Sequence, residues 1–232
     1  MSSSFNRRAT AHIVPLACFL GLQFLIPVIK IENPEIPWWR SAPEHWIYPL
    51  QAVLCLACLI FWRKEYRFGK PRLIGLGIVA GLIGIGIWLL PTFLGWQDRS
   101  SGGFDPTIFD GKSNPFPGSS IIGMRFLRLV VVVPLVEEIF WRGFLMRWLI
   151  DSTKRWDEVE IGTFGHKSFW ITTAMIGLAH WGPDVGVALI WGALIGLLTV
   201  KAKNLWAPIL AHAVANLVLG IVIMKTGWWG LW

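Results

Sequence analysis

Two adjacent carboxylates stand inside an apolar stretch of the chain, where ionisable groups are expensive and point to function. They are Glu137 and Glu138, and they follow the run Val-Val-Val-Val-Pro-Leu-Val. Arg142 comes four residues after Glu138. In a helix this spacing places both side chains on one face with the acid first, which is the favourable order for an ion pair. We therefore expect Arg142 to neutralise Glu138.

Glu137 would be turned about 100° away from Glu138 on the same helix, so it would face other partners. Away from water the charged form of a carboxyl group is disfavoured, which suits a residue that accepts a proton and later returns it. Glu137 is thus the candidate general base and general acid. Two other interpretations are an interhelical hydrogen bond and the proton site of a transporter.

Two further apolar stretches carry polar side chains of the same kind. His180 ends one stretch, and His212 and Asn216 lie four residues apart among alanines in another. Alone, His180 is typical of a helix cap or a core histidine, and the second pair is typical of hydrogen bonding between helices. Together with Glu137, these side chains could activate a water molecule and stabilise an oxyanion.

The composition indicates the kind of protein scaffold that positions these polar side chains. Of 232 residues, 54% are hydrophobic and only 15% are charged, and the mean hydropathy is +0.55. Soluble domains carry roughly 25% charged residues. The net charge of +7 comes from bases in short loops between apolar runs, so we expect no nucleic-acid partner. The sequence predicts an integral membrane protein.

The apolar runs predict an all-α, multi-pass transmembrane helical bundle with about seven to eight helices. The seven segments that can be drawn are 11–29, 46–62, 73–96, 122–150, 168–181, 185–201 and 205–224. The first segment is long for a signal peptide and lacks a small-residue cleavage site after it. We therefore expect it to be an uncleaved anchor.

The loops between the segments predict orientation and organisation. With the N-terminus inside, the inner loops hold more lysine and arginine than the outer ones, as the positive-inside rule requires. A polar stretch at 97–121 is rich in Gly, Ser, Pro and Asp and reads as a loop. It separates N-terminal transmembrane helices and a polar loop, residues 1–120, from a candidate catalytic helical core, residues 121–232.

Three spaced motifs resemble those of the CPBP family, the CAAX protease and bacteriocin-processing (Abi) proteins, over roughly residues 121–224. The order is Glu-Glu-x-x-x-Arg, then Phe-x-x-x-His, then His-x-x-x-Asn. The matching positions are Glu137, Glu138, Arg142, His180, His212 and Asn216. Ile176 stands where the family has Phe, a departure that bears on substrate preference. Each motif alone is weak, and the ordered set of three is specific.

This resemblance implies a glutamic-type intramembrane endopeptidase that cleaves near the C-terminus of membrane-associated proteins, either prenylated CAAX-like proteins or proteins with C-terminal sorting signals. Carried over by position, Glu137 would activate water with help from His180. His212 and Asn216 would form the oxyanion site, and Glu138 and Arg142 would support it. The expected location is the bacterial inner (cytoplasmic) membrane.

The cofactor expectation is none, with zinc as the alternative. Glu137, His180 and His212 could ligate zinc, but no His-Glu-x-x-His sequence places two ligands one helical turn apart. We therefore favour a metal-free, glutamate-activated water.

The expected partners are a membrane-anchored protein or peptide substrate and the lipid bilayer. Nothing in the sequence specifies the oligomeric state. His180 would lie toward the outer half of the membrane, so the site would open outward. The rival functions are a non-catalytic membrane scaffold or bacteriocin-immunity binder, and a transporter. The inverted repeats typical of transporters are not visible.

Overall fold

A computed structural model describes residues 3–31, 33, 36–107, 118–151, 155–180 and 182–232. Within these residues the chain forms eight helices and three short 3-10 turns, and no strand. The predicted all-α class is therefore confirmed. Part of the predicted polar loop at 97–121 lies outside the described residues, and the division of the chain at residue 120 stays a prediction.

Each predicted apolar segment coincides with one long helix. The helices are α1 (Ser3–Ile29), α2 (Trp38–Ser41), α3 (Glu44–Phe61), α4 (Ile74–Phe93), α5 (118–148), α6 (His166–Ala179), α7 (Val185–Ala202) and α8 (Trp206–Thr226). The 3-10 turns are Trp156–Glu158, Gly182–Asp184 and Trp229–Leu231. Only the four-residue helix α2 had no counterpart among the predicted segments.

Helix α5, which carries both glutamates, is irregular. It is α-helical at Gly118–Phe126, Val133–Phe140 and Met146–Trp148, and π-helical at Leu127–Val132 and Trp141–Leu145. The N–H of Val133 bonds to the carbonyl of Arg128, five residues back. Pro134 follows and has no N–H, so the next carbonyl in this register, that of Leu129, receives no bond from it.

Among the described residues, five helices are long and apolar enough to cross a bilayer. They span Arg7–Ile29, Glu44–Phe61, Ile74–Phe93, Gly182–Ala202 and Trp206–Thr226. Helix α6 has 14 residues, fewer than the ~20 that span a hydrocarbon core. Helix α5 is long enough but carries Arg125, Arg128, Glu137, Glu138, Arg142 and Arg147. Such a helix needs neighbours that shield its charges from lipid.

Helix α5 has those neighbours because it lies between two apolar clusters. On one side α1 and α3 contribute buried side chains such as Leu16 and Cys55, which pack with Val136 of α5. The other cluster joins α4, α7 and α8 through residues such as Ile85 and Ile195. Helix α8 packs most extensively on α4 and also contacts α5. The two clusters enclose the polar face of α5.

The close packing of α4 on α8 depends on small residues. A Cβ atom added to Gly77 would lie 2.7 Å from the backbone oxygen of Ala207, and one added to Gly81 would clash with the oxygen of Ala211. Backbones therefore approach without side chains between them, as at other small-residue interfaces in membranes. This contact fixes the height and rotation of α8, which carries His212 and Asn216.

Candidate active site

Glu138 is the centre of a buried polar cluster that joins three helices. Its side chain is completely buried, and its Oε1 accepts hydrogen bonds from Arg142 Nη1 at 2.9 Å and from His212 Nδ1 at 3.0 Å. Arg142 Nη2 also donates to the carbonyl of Gly192 on α7, at 3.3 Å. The spacing of Glu138 and Arg142 predicted this ion pair. The bond to His212 adds a link from α5 to α8.

The bond to Glu138 orients the ring of His212. Because a carboxylate oxygen accepts, Nδ1 of His212 carries the hydrogen, which leaves Nε2 for other partners. In the neutral ring Nε2 can only accept a hydrogen bond, whereas in the imidazolium it donates. Trp191 of α7 packs edge-to-face on the ring, with centroids 5.4 Å apart. His212 can therefore serve an oxyanion as a donor only when the ring is protonated.

Asn216 bonds to the irregular part of α5. Its Nδ2 donates to the carbonyl of Leu129 at 2.8 Å. This is the carbonyl that Pro134 leaves without a helical donor. A buried carbonyl without a partner is costly, so the Asn216 side chain satisfies a need created by the proline. The amide has a second N–H, which is the one that could reach an oxyanion.

Glu137 differs from its neighbour in both burial and partners. Its side chain is half-buried, and no other described residue forms a hydrogen bond or an ion pair with its carboxylate. Arg128, on the same helix, interacts with it only through longer-range attraction. Of the two adjacent carboxylates, Glu138 thus accepts hydrogen bonds from Arg142 and His212 and has no surface exposed to water. Glu137 remains available for chemistry.

His180 stands at the end of α6, directly after Ala179. Its Nδ1 donates to the carbonyl of Ile176 at 2.9 Å, and its ring packs edge-to-face on Trp88 of α4 at 5.4 Å. The bond to the carbonyl leaves Nε2 as an acceptor in the neutral ring. In the described part of the chain no hydrogen bond links His180 to Glu137, His212 or Asn216.

The structure thus brings together four of the six predicted site residues around the contact of α5 with α8. Glu138, Arg142 and His212 bond directly, and Asn216 bonds to α5 through Leu129. Glu137 and His180 are half-buried, and among the described residues neither forms a hydrogen bond or an ion pair with the other or with these four. Which of the six take part in catalysis stays a prediction.

Several contacts of the site were not found from the sequence. They involve the rings of Trp88 and Trp191, the carbonyls of Leu129 and Gly192, and Pro134. Pro134 carried a usable signal, since a proline within a helix always leaves carbonyls of the preceding turn unsatisfied. The two tryptophans and Gly192 carried none, because their contacts depend on how the helices pack.

The positions of the possible ligand side chains bear on whether the site could hold zinc. A zinc site needs three or four ligand side chains that converge within bonding distance. Among the described residues no three His, Cys, Asp or Glu side chains converge in this way. Glu137, His180 and His212 therefore do not form a ligand set in this arrangement, and the metal-free expectation stays a prediction.

Comparison with known proteins agrees with the motifs. Residues 120–218 match a family model described as Rce1-like, type II CAAX prenyl endopeptidase Rce1-like. This stretch contains all six predicted site residues and runs from the start of α5 into α8. No curated protein and no solved structure matches the chain. The apolar helices and this match together indicate an integral membrane protein. Over residues 120–218, somewhat less than half of the chain, the protein is thus similar to the Rce1-like, or CPBP, family of membrane proteases.

Proposed function

We propose that this protein is an intramembrane endopeptidase that cleaves membrane-associated proteins near their C-terminus, with Glu137 as the group that activates water. The observation that carries the proposal is the different state of the two adjacent glutamates. Glu138 is buried and bonded to Arg142 and His212, whereas Glu137 is half-buried and has no bonded partner among the described residues. A general base needs a carboxylate oxygen that is not held by another group, and the half-buried carboxylate of Glu137 meets that need.

In the proposed reaction Glu137 accepts a proton from a water molecule, and the water oxygen bonds to the carbonyl carbon of the scissile peptide. His180 assists by accepting a hydrogen bond from that water at Nε2. The carbonyl oxygen becomes an oxyanion, which the free N–H of Asn216 and Nε2–H of protonated His212 stabilise. Glu137 then returns the proton to the leaving nitrogen as the C–N bond breaks. The products are a new carboxylic acid, which then ionises to a carboxylate by releasing a proton to solvent, and a new amine.

Glu138 and Arg142 act on His212 in this scheme. The carboxylate holds Nδ1–H, which fixes the orientation of the ring and leaves the opposite nitrogen free, and Arg142 compensates the carboxylate charge. Such an outer partner fixes both the orientation and the protonation pattern of a catalytic imidazole. Glu138 is a poor candidate for the base, because it has no exposed surface.

We further propose that the N-terminus lies inside, in a bacterial inner membrane, and that the site opens toward the opposite side. One end of the bundle gathers the N-terminal arginines, the loop after α3 and the loop after α5, since Glu65 and Asp157 both pair with Arg8. His180 lies toward the other end, where Arg99 pairs with Asp184 shortly after it. The positive-inside rule supports this orientation.

The proposal is tested by comparing the C-termini of membrane proteins, by mass spectrometry, in cells that produce the wild-type protein or the Glu137→Gln variant. Asp98→Asn is the matched control, since Asp98 is exposed and bonds only within its own loop. Uncleaved C-terminal segments should accumulate only with Glu137→Gln. Identical C-termini at equal protein levels would favour a scaffold or an immunity binder instead.

A further inference from the structure

A charged pocket of about 440 Å³ opens at the end of the bundle that carries the N-terminal arginines. It lies between the loop that joins α3 to α4, the loop that joins α5 to α6, and the last turn of α7. It shares no residue with the candidate active site. The bases that line it include Arg67, Lys70, Arg72 and Lys203.

The backbone that forms the pocket is held rigidly. The N–H of Leu205 donates to the carbonyl of Phe68 at 2.8 Å, and Asn204 Nδ2 donates to the carbonyl of Arg72 at 3.2 Å. Gly69 packs against the turn after α7 so closely that a Cβ atom would lie 3.1 Å from the oxygen of Lys203. The loop after α3 is therefore fastened to the turn between α7 and α8. A site fixed in this way exists before a ligand arrives.

Asp157, Glu158 and Glu160 also line the pocket, so its lining carries three acids against five bases, and among the described residues Asp157 and Glu158 are paired with bases. Glu65 pairs with Arg7 at 3.0 Å, and Asp157 pairs with Arg8 at 2.7 Å and with Arg155 at 2.9 Å. Burial alone would raise the pKa of Asp157, but the hydrogen bonds from Arg155 and Arg8 outweigh it and keep that pKa below its ordinary value. Asp157 is thus charged and already matched by two arginines.

Arg147, which also lines the pocket, is satisfied by backbone. Its guanidinium donates to the carbonyls of Val159, Gly143 and Asp157 at 2.7 to 3.1 Å. The four cations named above are different, since none of them has an ion pair within the described ranges of the chain. Like charges around one concavity repel each other, and an anion in the pocket would remove that repulsion. Arginine and lysine together suit the oxygens of a phosphate group.

The surroundings of the pocket favour a lipid as the source of that phosphate. Trp206, at the start of α8, is 43% exposed and bonds through Nε1 to the carbonyl of Gly69, a pocket residue, at 3.2 Å. Its ring packs on Phe68 at 4.8 Å, and Leu73 beside them is 43% exposed. Tryptophan and apolar side chains next to bases at the end of a spanning helix are typical of the membrane interface. A phospholipid headgroup reaches this level with its chains in the bilayer.

We propose that this pocket binds the phosphate-bearing headgroup of an anionic phospholipid. The proposal does not depend on the proposed protease activity. The ligand would bridge the loop after α3 and the end of α7, two segments that belong to different halves of the chain. Bound lipid should therefore stabilise the bundle as well as occupy the pocket.

The test titrates the purified, delipidated full-length protein with phosphatidylglycerol and, separately, with phosphatidylcholine, and follows bound lipid by native mass spectrometry. The test variant is Arg67→Gln with Arg72→Gln. The matched control is Arg63→Gln with Lys64→Gln, which removes the same charge from exposed positions of the same loop that do not line the pocket. Each juxtamembrane base contributes about fivefold to the affinity for an anionic lipid. The test variant lacks two of them and should therefore bind phosphatidylglycerol ~25-fold more weakly.

The control pair should weaken binding by less than about threefold, because screening reduces the effect of charges outside the pocket. The single variant Lys70→Gln, at an exposed position, repeats the test with a smaller loss of about fivefold. Equal weakening by test and control pairs would overturn the proposal, as would equal affinity for the two lipids. Displacement of the lipid by millimolar inorganic phosphate would also overturn it, in favour of a soluble phosphate compound.

Discussion

Replacing Arg142 with methionine removes the guanidinium that faces Glu138 while keeping most of the side-chain volume. Glu138 has no exposed surface, so its carboxylate would keep only the bond from His212, in a place that water does not reach. Removing one partner of a buried ion pair costs about 3–5 kcal/mol, because the other charge stays buried without compensation. The loss of the bond to Gly192 adds to that cost. We expect a destabilisation of that size.

The assay is reversible unfolding of the purified protein in mixed micelles, followed by tryptophan fluorescence. Arg7→Met is the matched control, since Arg7 is 61% exposed and its pair with Glu65 should contribute less than about 1 kcal/mol. The double variant with Glu138→Gln and Arg142→Met no longer buries an uncompensated charge. It should therefore recover about half of the free energy of unfolding that Arg142→Met loses. An Arg142→Met protein within 1 kcal/mol of wild type would refute the reasoning about the cluster.

Two further predictions concern the helix contacts that position the site. Asn216→Ala should cost about 1–2 kcal/mol in the same unfolding assay, because the carbonyl of Leu129 loses its donor. In a Pro134→Ala background, where the backbone regains an N–H, the cost should be smaller, and an equal cost would contradict this role. Gly77→Ala should destabilise by about 1–3 kcal/mol through its clash with α8. Gly86→Ala, which meets no atom within 4 Å, should be neutral or stabilising.

The features that follow from local sequence were predictable. Long apolar runs fixed the helices, since in lipid every backbone polar group must be satisfied within the segment. The pair of Glu138 with Arg142 follows from the four-residue spacing on one helix. The candidate site residues were identified because ionisable groups are costly in such segments, and three spaced motifs linked them.

The partners across helices could not be predicted. The expectation that His212 and Asn216 form an oxyanion site stays a prediction, but the bonds of His212 to Glu138 and of Asn216 to a backbone carbonyl of α5 were not foreseen. These choices depend on the rotation and height of α8, which the contact with α4 sets. The charges and the π-helical turns of α5 can be interpreted only when the helices that enclose them are known.

The central claim is that Glu137 activates the water that cleaves the substrate. Its most direct test is the single-turnover cleavage rate of a membrane-anchored peptide, chosen from the C-termini that accumulate in cells, by purified protein in lipid nanodiscs. Glu137→Gln should lower that rate by about 10²–10⁴-fold while its unfolding midpoint stays with that of wild type. Asp98→Asn should cleave at the wild-type rate. A folded Glu137→Gln protein that cleaves within about tenfold of wild type would contradict the account.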